Sequence, residues 1–541
     1  MSGDNAEVPL IDIRPDHWAI VQGILQKHVP QCEVWAFGSR AKWTAKPYSD
    51  LDLAVIGYQP LPLEVSAALA DDFSESDLPW KVDVVDWATT SETFRKIIDR
   101  DKVVVQRGQA DRWRDVTIED IAERIAIGPF GSRMTSDCYT DTGVPVIRGT
   151  NITGGRSFSG EWVYVSEEKA DELKGSNVFA GDLVFPHRGS IGEVGIVPAD
   201  RNRYLLSSSL MMLRSDKLQA HSLFLYYYFR SAAGKHELLK NASQVGTPGI
   251  GQPLSSLRQI SLSLPPPNEQ RAIGQILGSI DDRIELNRRT NDTLEAMARA
   301  LFKDWFIDFG PVRAKLEGLP PYLAPEIWSL FPEEGDEDGV PVGWQSGRLS
   351  DVASSRSEGV QPASVDESTP YIGLEHMPRC SIALDAWEGA GKVSSNKSIF
   401  RKGDILFGKL RPYFHKVGIA PLDGICSTDI VVIRERQAPW ASFVRMCVSS
   451  SDFVAFTDKS STGTKMPRTN WPIMGSYSIT LPTADVAQAY DHLVHPLIEV
   501  IISNTHENKA LSAMRDLLLP KLISGELRIP NPKAFLTEVA P

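Results

Sequence analysis

Asp50 and Asp52 stand one residue apart at the start of the apolar run Leu51-Asp-Leu-Ala-Val-Ile56, and ten residues separate them from a Gly38-Ser39 pair. On a strand, residues i and i+2 point to the same side, so the two carboxylates are presented together. Such a pair is costly without a counter-charge, and two hard cations would supply one. Asp83, in the run Lys81-Val-Asp-Val-Val-Asp86, is a candidate third ligand on a neighbouring strand. Asp86 is its rival, but it lies three residues further on and therefore faces the other way. Gly38 lets a backbone approach a phosphate closely, and Ser39 offers a hydroxyl and an N–H. The chemistry these types suggest is metal-assisted displacement at a nucleoside triphosphate. Two metals would activate an attacking oxygen and steady the leaving pyrophosphate. A bare Asp-x-Asp is common at exposed strand ends; joined to the Gly-Ser pair and a third strand aspartate it is more specific.

The elements that must position these groups are few. An amphipathic segment, His17 to Leu25, precedes a strand over Glu33–Phe37; strands over Asp50–Ile56 and Lys81–Asp86 follow, with a helical stretch between them. They fill a block of residues 1–108, about a fifth of the 541-residue chain. A chain this long is expected to hold several domains. Its hydrophobic content of 42% and charged content of 23% are ordinary for globular folds. No apolar run approaches the length of a membrane span, and the N-terminus MSGDNAEVPLIDIRPD lacks the apolar core of a signal peptide. The five cysteines, Cys32, Cys138, Cys380, Cys426 and Cys447, are scattered, which suits a reducing cytoplasm and no disulfide frame. The net charge of −12 leans against a polyanion binder, although local patches and not the total decide such contacts.

The remaining four hundred residues repeat themselves. WRDVTIEDIA, starting at Trp113, echoes WQSGRLSDVA, starting at Trp344. Gly181-Asp-Leu-Val-Phe185 echoes Gly403-Asp-Ile-Leu-Phe407, and Gly246-Thr247 echoes Gly463-Thr464. Asn287, Asn291, Leu294 and Met297 echo Asn504, Asn508, Leu511 and Met514. The order is kept while the shift shrinks from 231 to 217, so two copies of one unit are expected, the second about 14 residues shorter. Each copy has a part rich in short β-like runs broken by Gly and Pro, then one long helix. Pro265-Pro-Pro267 stops the strands and starts the first helix.

Both helices read as heptads. Ile273, Leu277, Ile280, Ile284, Asn287, Asn291, Leu294, Ala298 and Leu301 recur at gaps of four and three. Tyr490, Val494, Leu497, Ile501, Asn504, Asn508, Leu511, Arg515 and Leu518 do the same. A polar seam residue penalises slipped registers, so the matched asparagines point to the helices pairing with each other. Antiparallel pairing would place the two β-rich domains at opposite ends of a rod, a ruler suited to two half-sites on duplex DNA. Base edges are read by Arg, Lys, Asn and Gln, and phosphates by Arg, Lys and small hydroxyls. Loops bearing such residues are Arg148 to Asn151, His187-Arg188, and Gln244 to Thr247 in copy one. Copy two offers Lys409, Arg411, Tyr413, Lys465 and Arg468. The turns after the two Gly-Asp strands stand out because both carry basic residues, and their differing contents predict differing half-sites. The cluster Phe302 to Phe309 is read as core before docking patch.

On "GDLVF" and "GDILF", "SLSLPPPNEQRAIGQIL", "IDDRIELNRRTNDTLEAMARALF", "PVGWQSGRLSDVA" and "LLLPKLISGELRI", residues 109–525 resemble the specificity subunit of a type I restriction–modification system. The resemblance implies two target-recognition domains, each reading half of an interrupted double-stranded DNA sequence, and a helical spacer. It implies two adenine methyltransferase subunits using S-adenosylmethionine and a separate ATP-driven restriction and translocation subunit as partners. The sequence itself contains no methyltransferase Asn-Pro-Pro-Tyr, Walker loop or nuclease motif. The opening block is similar to minimal nucleotidyltransferases of the polymerase-β type that act as antitoxins. That likeness implies phosphate contacts from Gly38, Ser39 and Arg40, magnesium held by Asp50, Asp52 and Asp83, a nucleoside triphosphate substrate, and a toxin-like partner.

The expected fold is thus α+β multidomain: a nucleotidyltransferase-like head (1–108), a first recognition domain (109–267), spacer helix one (268–308), a linker (309–343), a second recognition domain (344–484), spacer helix two (485–525) and a tail (526–541). The spacer register rests on Asn287, Asn291, Asn504 and Asn508. The main work expected is DNA specificity. The alternative is a metal-dependent nucleotidyltransferase, acting on a protein or RNA, that the C-terminal region targets to DNA; a third reading makes the head a silent interaction module.

Overall fold

The computed structural model describes residues 10–30, 32–56, 60–108, 113–243, 247–337, 339–463, 466–529, 532 and 536. It divides into two compact units, residues 1–276 with 519–541, and residues 277–518.

In the first unit, the head is a four-stranded sheet. Its strands are β1 (Glu33–Phe37), β2 (Leu51–Ile56), β3 (Val82–Asp86) and β4 (Val103–Gln106), in the order β3-β2-β1-β4. β4 has no counterpart in the sequence reading above. β2 is antiparallel to β1 and parallel to β3. The period of two then sorts the side chains. Leu51, Leu53 and Val55 are buried with Trp18, Val21 and Leu25 of helix α1 (Pro15–His28). Asp52 lies on the opposite face, which it shares with Ala54; Ala54 packs with Phe37 and with Ile98 of the helix Glu92–Asp101.

The first β-rich domain holds a sheet ordered Ala122–Ile127, Leu210–Ser215, Leu183–Pro186, Gly195–Ile196. A second sheet is ordered Val163–Val165, Val144–Ile147, Tyr204–Leu206, Asn177–Val178, with the middle pair parallel. A third pairs Arg114–Thr117 with Ser261–Leu264. The second β-rich domain, in the other unit, repeats this plan. Its first sheet is ordered Ala353–Arg356, Ile430–Glu435, Ile405–Gly408, Val417–Ile419. Its second contains the parallel pair Pro370–Ile372 with Gly424–Cys426, and its third pairs Gln345–Arg348 with Ser478–Leu481. The duplication therefore extends to strand order and direction.

One pair of residues explains why Gly-Asp marks both copies. Asp182 is buried and takes Nε and Nη2 of Arg214 at 2.8 and 2.7 Å, plus the N–H of Phe179 at 2.9 Å. Asp404 is likewise buried, takes both arms of Arg434, and accepts the N–H of Arg401 at 2.7 Å. A bidentate arginine and a backbone donor satisfy a carboxylate that would otherwise be costly to bury.

The long helices run over Pro267–Phe306 and Ala484–Ser524, 40 and 41 residues. Within residues 277–518 they are antiparallel. Asn287 donates to Asn508 Oδ1 at 2.9 Å, Asn504 donates to Asn291 Oδ1 at 2.9 Å, and Tyr490 donates to the Ala298 carbonyl at 2.8 Å. Arg515, which opens the apolar pattern of the second helix, donates to Asp281 at 2.8 Å. Phe302, Trp305 and Phe306 are buried against Phe331, Phe443 and Tyr490, the core role read for that cluster. The joining segment 309–343 is folded too: Val312 and Phe331 are buried, and Lys315 donates to the Phe331 carbonyl at 2.6 Å. In the first unit, Glu269 at the head of its helix accepts from Trp113 and from both arms of Arg528, which fastens the chain's later part beside the first domain's opening strand.

Candidate functional site

In the head, parallel pairing sets Asp52 beside Asp83, and antiparallel pairing sets Asp52 beside Phe37. Gly38 follows Phe37 with φ of +74°, and a Cβ there would lie 2.1 Å from Asp52 Oδ2. Only glycine fits both the backbone angle and the carboxylate. Asp50 is exposed just ahead of β2, and Asp52 is half-buried. Burial holds the Asp52 carboxyl above its ordinary range, and the charges of Asp83 and Asp50 push it the same way. The three carboxylates feel one another's charge, a donor chemistry that suits a hard divalent cation, but they do not close into a compact cluster: among the described residues the ligand atoms that lie within 4.8 Å of one another are those of Glu375, His376 and Glu388. Asp86 is occupied elsewhere: its carboxylate accepts the N–H groups of Leu61 and Ala88 at 2.8 and 2.9 Å, which removes it as third ligand.

Arg40 has structural contacts of its own. It is buried, stacks 4.3 Å from the Trp80 ring, and donates to the Ser49 carbonyl at 2.9 Å and the Asp12 carbonyl at 2.8 Å. Its guanidinium holds the Ser49 carbonyl of the loop that delivers Asp50, and its Nη2 is buried without a hydrogen-bond partner. Ser39 is half-buried in the single helical turn Gly38–Ala41. The sequence reading missed Lys81, which shares a strand face with Asp83 and forms an ion pair with it. Its spacing of two from Asp83 was the available signal.

The DNA candidates separate by burial. Asn151 and His187 do not reach solvent. Asn151 is fully buried, accepts the Arg148 N–H at 2.9 Å, and donates to the Ser159 and Glu161 carbonyls. His187 is buried with Nε2 3.0 Å from the Ser208 carbonyl, and burial holds its imidazole below the ordinary range. Both shape loops, because a polar side chain surrounded by backbone carbonyls and amides satisfies them more readily than it reads a base. Arg148 is half-buried and drawn back onto the Glu161 carbonyl.

Arg188 and Thr247 are exposed, and the two segments that carry them meet. Arg188 bridges to Gly249, and the Gly189 N–H donates to the Pro248 carbonyl at 2.9 Å. Copy two repeats the meeting. The turn after its Gly-Asp strand joins the segment after Gly463: Arg411 N–H donates to the Pro467 carbonyl at 2.8 Å, Thr469 N–H to the Lys409 carbonyl at 3.0 Å, and Leu410 bridges to Arg468. Lys409 and Arg411 are half-buried there, and Tyr413 and Arg468 are exposed. Lys465 and Gln244 lie outside the described residues. Arg379, missed in the sequence because it comes from a distant loop, stacks 4.1 Å from the Phe414 ring. Each copy thus brings together a basic turn and a Gly-containing strap, with different side chains.

Comparison with known proteins agrees with this division. Residues 110–296 match the family model for the type I restriction modification DNA specificity domain, and residues 21–110 match that for polymerase beta nucleotidyltransferases. The head is 57% identical over 96 residues to a probable protein adenylyltransferase, MntA, of Haemophilus influenzae, covering 18% of this chain and 84% of the relative. The MjaIX specificity subunit of Methanocaldococcus jannaschii is 26% identical over 389 residues, 68% of this chain and 84% of the relative. The HindI specificity subunit of Haemophilus influenzae is 23% identical over 473 residues, 77% of this chain and 99% of the relative. Residues 110–296 thus carry a type I restriction specificity domain, the chain beyond the head is similar to type I specificity subunits, and the head belongs to the nucleotidyltransferases of the MntA kind. Among the described residues no helix is long and apolar enough to cross a membrane.

Proposed function

We propose that this chain selects a bipartite DNA sequence for adenine methylation and restriction by partner subunits, each recognition domain reading one half. The observation that carries the reading is the doubled arrangement: a matching core strand plan brings a basic turn against a strap in both copies, yet Arg188 and Thr247 in one stand where Lys409, Arg411, Tyr413 and Arg468 stand in the other. Like scaffolds with unlike readers suit two unlike half-sites. The paired helices, registered by Asn287, Asn291, Asn504 and Asn508, serve as spacer and as seat for two methyltransferase subunits that supply S-adenosylmethionine chemistry. ATP enters only with the restriction subunit. Mapping methylated adenines in host DNA tests this. One interrupted motif that requires the chain is expected, and its absence contradicts the reading.

For the head we infer magnesium-dependent nucleotidyl transfer from a nucleoside triphosphate, supported by the Asp52–Asp83 pairing and by the space Gly38 leaves for Asp52. Asp50, Asp52 and Asp83 would hold the metal, which supplies charge for the triphosphate and its leaving group. Gly38 and Ser39 border the phosphate, Arg40 fixes the Asp50 loop, and a toxin-like protein is the acceptor that the MntA relationship favours. Incubation with labelled ATP, magnesium and the purified neighbouring proteins should transfer label. The Asp50→Ala/Asp52→Ala variant should lower transfer by at least about a hundredfold, as expected when a metal's ligands are removed. Equal labelling by both proteins would overturn the assignment.

A further inference from the structure

Six non-glycine residues among those described have positive φ, and three of them sit in one place. Cys380 (58°), Arg411 (51°) and His415 (49°) surround a single turn of the second recognition domain. Left-handed backbone is unfavourable for residues with a Cβ and persists only where surrounding contacts enforce it. The contacts here do so. Arg411 N–H donates to the Pro467 carbonyl at 2.8 Å, His415 N–H to the Pro412 carbonyl at 2.8 Å, and Cys380 N–H to the His415 carbonyl at 2.9 Å. His415 Nε2 lies 3.0 Å from the Ser449 carbonyl.

What this strain achieves is the outward presentation of Tyr413, between the buried Pro412 and the half-buried Phe414. Phe414 is the footing: Arg379 stacks on it at 4.1 Å, and Tyr413 meets it edge-on at 4.7 Å. Tyr413 itself is 51% exposed. Arg379 and Arg411 both lie over the Phe414 ring, at 4.1 and 5.9 Å, and Arg468 pairs with Leu410 of the same turn, on a chain whose net charge is −12. Arg468 is shared with Asp429 at 3.5 Å, and the Arg411 Nε is buried without a partner. The corresponding turn of the first domain uses a glycine, Gly189 (82°), and has no aromatic of its own; the exposed Phe130, from another loop, stands 6.4 Å from His187 instead.

We propose that Tyr413 is the base-contacting residue of the second recognition domain. Its ring packs on a base step of one half-site of duplex DNA, and Arg379, Arg411 and Arg468 hold the flanking phosphates. The inference rests on the DNA-specificity reading above and adds the residue and the mode of contact. An aromatic ring contributes stacking and apolar contact to a base step, and arginines beside it supply the charge that positions the backbone. A protein partner is the competing occupant for an exposed ring, but Arg379 and Arg411 at its footing and Arg468 in the same turn match a polyanion better than a neutral protein face.

The test is adenine-methylation mapping in a host lacking other adenine methylation, with the full chain expressed beside its methyltransferase partner. The parent should give one interrupted motif. Tyr413→Ala should relax one or two positions of a single half by about tenfold or more, leaving the other half and complex assembly unchanged, in line with the usual loss per disrupted base contact. Tyr413→Phe, which keeps the ring, should retain the parent motif. Because Tyr413 is exposed, both variants should elute and melt as the parent does. An unchanged motif and occupancy in Tyr413→Ala overturns the proposal. So does loss of complex assembly, which would assign the ring to a protein contact. No motif from the parent would remove the specificity reading, and this proposal with it.

Discussion

Gly38 lacks a side chain where Asp52 needs room, and Asn151 has one where a loop needs a clamp; both residues show how local fit assigns roles. A Cβ at 38 would lie 2.1 Å from the Asp52 carboxylate, so the glycine is set by the chemistry next to it. Asn151 is tied to three backbone groups and is fully buried, whereas Arg188 stands in solvent. Asn151→Ala should therefore cost about 1–3 kcal/mol of stability by leaving buried backbone groups unpaired. Arg188→Ala should change stability by less than about 0.5 kcal/mol yet weaken DNA binding and flatten its salt dependence. Denaturant unfolding and salt-titrated DNA binding of the two variants check this; a stability loss confined to Arg188→Ala would reverse the roles. Composition alone did not separate these residues, because both types donate to bases and burial depends on the strands around them. The position of Asp52 beside Asp83 was legible for the opposite reason: strand alternation is local, and both stand in short apolar runs. The contacts of Arg40 with Ser49, Asp12 and Trp80 were not legible, because they depend on tertiary structure.

At the scale of elements, the two long helices meet through polar groups placed in an apolar pattern. Asn287 bonds to Asn508 and Asn291 to Asn504. Slipped by a turn, each amide would face an aliphatic side chain and lose its partner, so the four asparagines select one register. Glu507 strengthens the same crossing by accepting both arms of Arg283, at 2.8 and 3.1 Å, and the Asn287 amide at 2.9 Å. Arg283, and then Asn287, hold its carboxyl below the ordinary glutamate range. A carboxylate whose pKa is lowered by folding stabilises the folded form above its unfolded pKa, and that contribution is lost as pH falls through the folded value. Acid unfolding of the parent should therefore be steeper than that of Glu507→Gln below the ordinary glutamate range. At neutral pH the variant should be less stable by at most about 1 kcal/mol, since the pair is partly exposed. Identical pH profiles would contradict the assignment. The heptads were legible from periodicity; the individual partners were not, because they depend on the offset between helices more than two hundred residues apart in sequence.

At the scale of the molecule, a duplicated domain with paired long helices carries a small nucleotidyltransferase head, and an overall acidic chain places basic residues in the turn after each Gly-Asp strand. The internal repeat was visible because Gly-Asp is kept by a buried carboxylate–arginine pair in both copies, Asp182 with Arg214 and Asp404 with Arg434. The reading turns were visible only as basic stretches, since their content differs between copies. The central claim is that this chain chooses the methylated sequence. Sequencing of methylated adenines in host DNA, with the gene intact, deleted, and shortened to begin at residue 109, measures it directly. The account predicts one interrupted motif with the intact gene, none with the deletion, and the same motif without the head. A motif that persists after deletion, or none with the intact gene, would contradict it.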